Sequence, residues 1–121
     1  MVSAVVLLES CDKNSRTPEG PTVNFTLDLS SSANAALNSA GGSLASNGVV
    51  IVNTGSDFAA IAQRCTHEGC SVAYSASGNE LRCPCHSGKF DLNGNVTAGP
   101  PPAPLKTYTV TQNGTVLTIE G

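Results

Sequence analysis

Polar and apolar residues alternate with a period of two at several places along this chain. The clearest case is Val23-Asn24-Phe25-Thr26-Leu27-Asp28-Leu29, where every second residue is apolar, the pattern of a strand with one buried face. Val49 to Val52 is a short continuous apolar run and predicts a strand buried on both faces. Phe58 to Gln63 and Glu80 to Arg82 predict two more strands, each leading directly into a cysteine-bearing segment. Phe90–Leu92 and Asn95–Thr97 flank Asn93-Gly94, and Lys106–Thr111 and Thr115–Glu120 flank Asn113-Gly114. Asn-Gly between alternating segments is a strong hairpin signal, because both residues tolerate positive φ. Thr54–Asp57 and Ser75–Asn79 read as turns. Ser30 to Asn47 is rich in Ser, Ala, Asn and Gly and predicts mostly loop, with a helical turn at Ala33 to Leu37. No helix of ordinary length and no internal repeat is evident, so the expected fold class is all-β.

Composition narrows the picture. With 121 residues the chain is long enough for one domain. Aromatics are only 4% and Trp is absent, so Val, Leu, Ile and Ala must build most of the core. The formal charge of −3 and the lack of any Lys or Arg run argue against a nucleic-acid partner.

The chemistry is concentrated in two segments. Cys65-Thr66-His67-Glu68-Gly69-Cys70 and Cys83-Pro84-Cys85-His86 hold four of the five cysteines and both histidines. Each offers a Cys–His pair, Cys65 with His67 and Cys83 with His86. Thiolate and imidazole suit zinc or iron–sulfur iron. A structural zinc site is one reading, although such sites usually begin C-x₂₋₄-C and end H-x₃₋₅-H, and here each segment mixes the two ligand types. A thioredoxin-like motif requires C-x-x-C before a helix, and Cys83 and Cys85 are too close. A [2Fe-2S] cluster with two cysteines on one iron and two histidines on the other accommodates every residue. Cys70 and Cys85 are left over, one in each segment.

C-T-H-x-G-C followed by C-P-C-H resembles the double motif of the Rieske [2Fe-2S] iron–sulfur family, and a downstream proline loop matches as well. The likeness implies an antiparallel β-sandwich or barrel with a small inserted cluster-binding subdomain. It implies Cys65 and Cys83 on the inner iron, His67 and His86 on the outer one, and a Cys70–Cys85 disulfide tying the loops together. That bridge would close a loop of about 15 residues, worth about 3 kcal/mol in the chain-entropy model. Neutral imidazoles leave the oxidised centre uncharged, so it accepts an electron more readily than an all-cysteine cluster. The proline segment Gly99–Leu105, which includes Pro101, is expected from the resemblance to form a third wall beside the cluster.

The second segment departs from the high-potential pattern C-P-C-H-G-S-x-Y-D. Gly88 and Phe90 stand where a Ser and a Tyr would donate hydrogen bonds to cluster and ligand sulfurs. Two lost donors, at roughly 1 kcal/mol each, lower the expected potential by about 50–100 mV at 59 mV per tenfold for one electron. His86-Ser87-Gly88-Lys89-Phe90-Asp91 instead resembles the second box of Rieske-type ferredoxins, which normally lack the disulfide cysteines.

Residues 1–21 are expected to be a signal remnant and linker, and residues 22–121 the domain, with a cluster-binding part at about 64–98 and a proline loop at 99–105. Leu7-Leu8-Glu9-Ser10-Cys11 resembles the end of a bacterial lipoprotein signal, with Cys11 the lipidated residue. The competing reading is a first strand with an incidental cysteine; the apolar run is too short to span a bilayer. The resemblance implies one-electron transfer in an extracytoplasmic, membrane-tethered carrier or a small subunit of a respiratory oxidoreductase. A c-type cytochrome or a quinol-oxidising complex is the expected redox partner. No nucleophile–base pair or second metal motif is present, so any catalysis is expected in a partner protein. The alternatives are a ferredoxin serving a ring-hydroxylating dioxygenase and a structural zinc module.

Overall fold

The structure, a computed structural model, describes residues 20–64, 70–84, 88–98 and 104–121. The expectations for residues 1–19, Cys11 among them, lie outside these.

The alternating segment at the start forms β1 (Asn24–Asp28), with Leu27 buried and Asn24, Thr26 and Asp28 exposed. After a 3-10 helix (Ser32–Asn38) come β2 (Ser43–Ser46), β3 (Val49–Asn53) and β4 (Phe58–Ala62). β3 is buried along its four apolar residues, as a continuous apolar run requires. The chain then makes β5 (Ala73–Ser75), β6 (Glu80–Arg82), β7 (Lys89–Phe90) and β8 (Val96–Ala98), and closes with the hairpin β9 (Thr107–Asn113) and β10 (Val116–Glu120).

Residues 30–47, expected to be mostly loop, hold more structure than that. The helical turn extends over Ser32–Asn38, and Ser31 caps it by accepting a hydrogen bond from the Ala33 N–H. β2 follows, joined to β3 by Asn47 and Gly48, both at positive φ (54° and 80°). This two-residue turn is a third Asn-Gly hairpin, and its twist matches that of the flanking strands.

Two antiparallel sheets result. The larger has six strands in the order β1-β10-β9-β4-β3-β2, and the smaller has four in the order β5-β6-β7-β8. The smaller is inserted between β4 and β9, which are neighbours in the larger sheet. The larger sheet curls: at its edges Pro21 to Phe25 and Asn47 line one cleft of about 310 Å³. The inner faces of both sheets share one apolar core, including Leu27, Ile51, Ile61, Leu117 and Ile119 from the larger sheet and Leu81 and Phe90 from the smaller. Each such side chain contributes about 1.5–3 kcal/mol on burial. This architecture agrees with the expected fold class.

Strand directions place the functional segments. The last residue of β4, the first of β9 and the last of β10 lie at one end of the six-stranded sheet, where the small sheet is inserted. The chain also enters there. The Pro21 carbonyl accepts a 2.6 Å hydrogen bond from the Tyr108 hydroxyl, and Val23 and Gly121 exchange backbone hydrogen bonds. Among the described residues, no helix is long and apolar enough to cross a membrane.

Candidate metal centre

The first cysteine segment follows β4. Arg64 pairs with Ser71 in an isolated antiparallel bridge, and the Val72 N–H donates to the Gln63 carbonyl at 2.7 Å. The described residues on either side of the first cysteine segment are therefore fastened to each other by main-chain bonds. The second segment is fastened the same way: the Cys83 N–H donates to the Gly88 carbonyl at 2.7 Å.

Antiparallel pairing of β5 with β6, Ala73 opposite Arg82 and Ser75 opposite Glu80, then sets the relation between the two. β5 begins just after the first segment and β6 ends just before the second. Both cysteine segments therefore attach to the same end of one hairpin. The Ser75–Asn79 turn closes the other end, tightened by the Tyr74 hydroxyl donating to the Asn79 side chain at 2.9 Å.

Alternation within β6 decides what reaches the interior. Leu81 is buried, Arg82 exposed and Cys83 buried, with only 2% of its surface exposed. Arg82 and Lys89 are register partners on the outer face, where the Glu80 carboxylate lies 2.7 Å from Arg82 Nε and 3.7 Å from Lys89 Nζ. The Arg82 hydrogen bond, assisted by the two positive charges, holds the Glu80 carboxyl below its ordinary range. The inner face carries the Cys83 thiol, the outer face a solvated ion cluster.

Cys83 is a free, buried thiol. A buried cysteine often serves only as a small apolar residue. This one sits at the base of a loop rather than in mid-strand. It belongs to the buried apolar cluster and directly precedes Pro84. Cys70 is half-buried and packs against the same core. Gly88 is buried and Phe90 fully so, which leaves no side-chain hydroxyl at either position. Cys65, His67, Cys85, His86 and Pro101 lie outside the described residues. Among the described residues no three His, Cys, Asp or Glu side chains gather. The chemistry of the donor set, soft thiolates with imidazoles on two fastened neighbouring loops, fits a [2Fe-2S] cluster.

A further main-chain fastening holds the turn at the other end of β7, and the sequence pattern disclosed the turn but not its partner. The Leu105 N–H donates to the Gly94 carbonyl at 2.8 Å, joining the β7–β8 turn to the chain just before β9. Asp91 organises that turn, its Oδ1 accepting from the N–H groups of Asn93 and Asn95. Asp91 three residues before a glycine was the available local signal; the partner at Leu105 is set by tertiary structure.

Comparison with known proteins agrees with this arrangement. The chain is 43% identical over 60 residues to the cytochrome b6-f complex iron-sulfur subunit of Chlorobaculum thiosulfatiphilum, a match covering 50% of this chain and 33% of the relative. The chain spans about a third of the length of the curated relatives it matches. Its fold resembles the plasma membrane Rieske protein PetC3 from Synechocystis PCC 6803, with a TM-score of 0.61 and 26% identity over 78% of this chain and 99% of that one. It also resembles the ferredoxin of carbazole 1,9a-dioxygenase from Nocardioides aromaticivorans IC177, with a TM-score of 0.57 and 29% identity over 68% of this chain and 86% of that one. The family model of the Rieske [2Fe-2S] domain matches residues 26–109, a span holding the four-stranded sheet, both cysteine segments and β2 to β4 of the larger sheet, and the chain belongs to that family.

Proposed function

We propose that this domain carries single electrons through a [2Fe-2S] cluster, with Cys65 and Cys83 on one iron and His67 and His86 on the other. The observation that supports this best is the attachment of both cysteine loops to the same end of the β5–β6 hairpin, with the free Cys83 thiol buried at the base of one loop. The bound group supplies a one-electron couple whose oxidised form is uncharged. The protein's part is to hold two thiolates away from water and to fix the loops by their main-chain bonds. Residues 22–121 form the domain in this reading, with the cluster-binding part at about 64–98, the proline loop at 99–105 and Gly20 and Pro21 packed on the outside.

A Cys70–Cys85 disulfide belongs to the same proposal. Cys70 is disulfide-bonded rather than a titrating thiol, and Cys85 is the partner proposed for it. Such a bridge persists in oxidising compartments, which favours a location outside the cytoplasm. Lipidation of Cys11 would supply a membrane tether. The likeness to cytochrome b6-f iron-sulfur subunits favours a cytochrome or quinol-oxidising complex as partner.

Iron and acid-labile sulfide analysis, with EPR of the reduced protein during a potentiometric titration, tests the reading. The expected result is two irons, two sulfides and a one-electron transition, with nitrogen couplings from two imidazoles. Zinc without iron overturns it.

Gly88, Phe90 and the likeness to the carbazole dioxygenase ferredoxin favour a second reading, a ferredoxin feeding a ring-hydroxylating oxygenase. Mass spectrometry of the natural protein separates the two. An intact Cys70–Cys85 bridge with a lipidated Cys11 supports the tethered carrier; reduced thiols and an unmodified Cys11 support the ferredoxin.

A further inference from the structure

We infer that Glu80 is a positioning residue for Cys83: its carboxylate clamps the neck of the second cysteine segment by bridging two cations that face each other there. Arg82 on β6 and Lys89 on β7 form the last register pair before that segment. The next main-chain bond runs from the Cys83 N–H to the Gly88 carbonyl at 2.7 Å. Cys83, a proposed ligand, therefore sits directly beyond the Arg82–Lys89 pair.

Like charges directly opposite each other on one face of an antiparallel pair push the strands apart. Glu80, two residues before Arg82, lies on the same outer face of β6. Its Oε2 accepts from Arg82 Nε at 2.7 Å and lies 3.7 Å from Lys89 Nζ. One oxygen serves both cations, so a repulsive pair becomes a bridged trio. The turn before β6 leaves room for it: a Cβ on Gly78 would lie 2.9 Å from the Glu80 carboxyl carbon and 3.2 Å from Arg82 Nη2. The inner face of the same two strands carries Leu81 and Phe90, both fully buried. The neck is thus held by packing on one face and by charge on the other.

Exposed ion pairs contribute little to global stability. This one acts where a ladder ends, and the opening of such an end is a local event. The β6–β7 ladder has two register pairs, and Arg82–Lys89 is the one nearer the cysteine segment. The inference rests on the proposed [2Fe-2S] reading, and the two fail differently. If the unaltered protein binds no iron, that reading fails. If it binds iron normally and Glu80 has no influence on Cys83, only the inference fails.

The test compares the unaltered chain with Glu80→Gln and with Glu80→Gln combined with Lys89→Gln, each loaded with iron. Hydrogen exchange at the Cys83 amide by mass spectrometry, bleaching by a chelator and midpoint potential are read at low and high salt. Glu80→Gln keeps the side-chain shape but leaves the two cations facing each other without a carboxylate. At low salt its Cys83 amide is expected to exchange about threefold faster, with a matching rise in bleaching rate. Both differences should shrink at high salt, where the repulsion is screened. The lost negative charge should also raise the reduced-to-oxidised ratio at fixed potential about twofold, or about 18 mV for one electron. The double variant removes the repulsion and restores the net charge, so all three readouts should return to the unaltered values. Glu80→Asp keeps the charge but draws the carboxylate back by one methylene; faster exchange at an unaltered potential is expected, and it carries the test if Glu80→Gln does not fold. Unaltered exchange and bleaching at low salt in Glu80→Gln, or in Glu80→Asp standing in for it, overturns the inference. So does faster exchange that adding Lys89→Gln fails to reverse, which is how a merely structural loss would behave.

Discussion

Leu81 on β6 and Phe90 on β7 stand directly opposite each other, and neither side chain exposes any surface. Phe90 is the largest fully buried side chain among the described residues. It therefore anchors the small sheet while occupying the position at which the high-potential pattern C-P-C-H-G-S-x-Y-D carries a hydroxyl. Phe90→Ala should cost about 3–5 kcal/mol in chemical denaturation. Phe90→Tyr combined with Gly88→Ser should raise the midpoint potential by about 50–100 mV, since sulfur-directed donors favour the more negative reduced state. An unchanged potential with lowered stability would mean that the new hydroxyls face apolar side chains and not sulfur.

Tyr108 leads to a prediction at alkaline pH. Burial raises its phenol above the ordinary value of 10.0. The folded state therefore keeps the proton longer than the unfolded chain does. Stability from this group is fully present below pH 10 and declines as pH rises from there through the raised folded value. Tyr108→Phe removes the bond to the Pro21 carbonyl and should cost about 0.5–1.5 kcal/mol at neutral pH. It should also flatten this part of the alkaline decline, as read by urea midpoints between pH 8 and 11.

Cluster and scaffold should be separable. His67→Ala and Cys83→Ala are each expected to abolish the cluster's visible absorption. The far-ultraviolet β signature and a cooperative melt should remain, because most of the core belongs to the six-stranded sheet. Loss of that melt in either variant would show that the scaffold depends on the metal.

Gly42 is predicted to resist substitution for a reason unrelated to the redox centre. A Cβ there would collide with the Ala36 carbonyl oxygen of the 3-10 segment. Gly42→Ala should cost about 1–3 kcal/mol, against a smaller loss for Gly114→Ala, when both are compared by thermal melts.

Much of the fold was legible because half-buried strands declare themselves through period-two alternation. β1 and β6 appear where the alternation puts them, and the final hairpin forms as expected, though its two turn residues are Gly114 and Thr115, one place later than the Asn-Gly signal. β2 was missed because Ser43-Leu44-Ala45-Ser46 is short and weakly apolar, and the composition around it masked the Asn47-Gly48 turn. The metal-binding motif was readable because ligation demands particular side chains at particular spacings. The fastenings at Arg64–Ser71, Cys83–Gly88 and Gly94–Leu105 were not. They are main-chain bonds, which almost any residue can make, so only the folded topology reveals them.

The docking of Gly20 to Val23 beside β4 and β9 bears on how the molecule can be handled and oriented. Any segment joined ahead of Gly20 starts on the rim that bears the cysteine loops. A bulky tag placed directly ahead of Gly20 would crowd the end to which both cysteine segments attach. The opposite rim, with Asp28 and the Thr54–Asp57 turn, is the better place to graft a linker to an electrode. Immobilised there, the protein would present outward the end to which both cysteine segments attach.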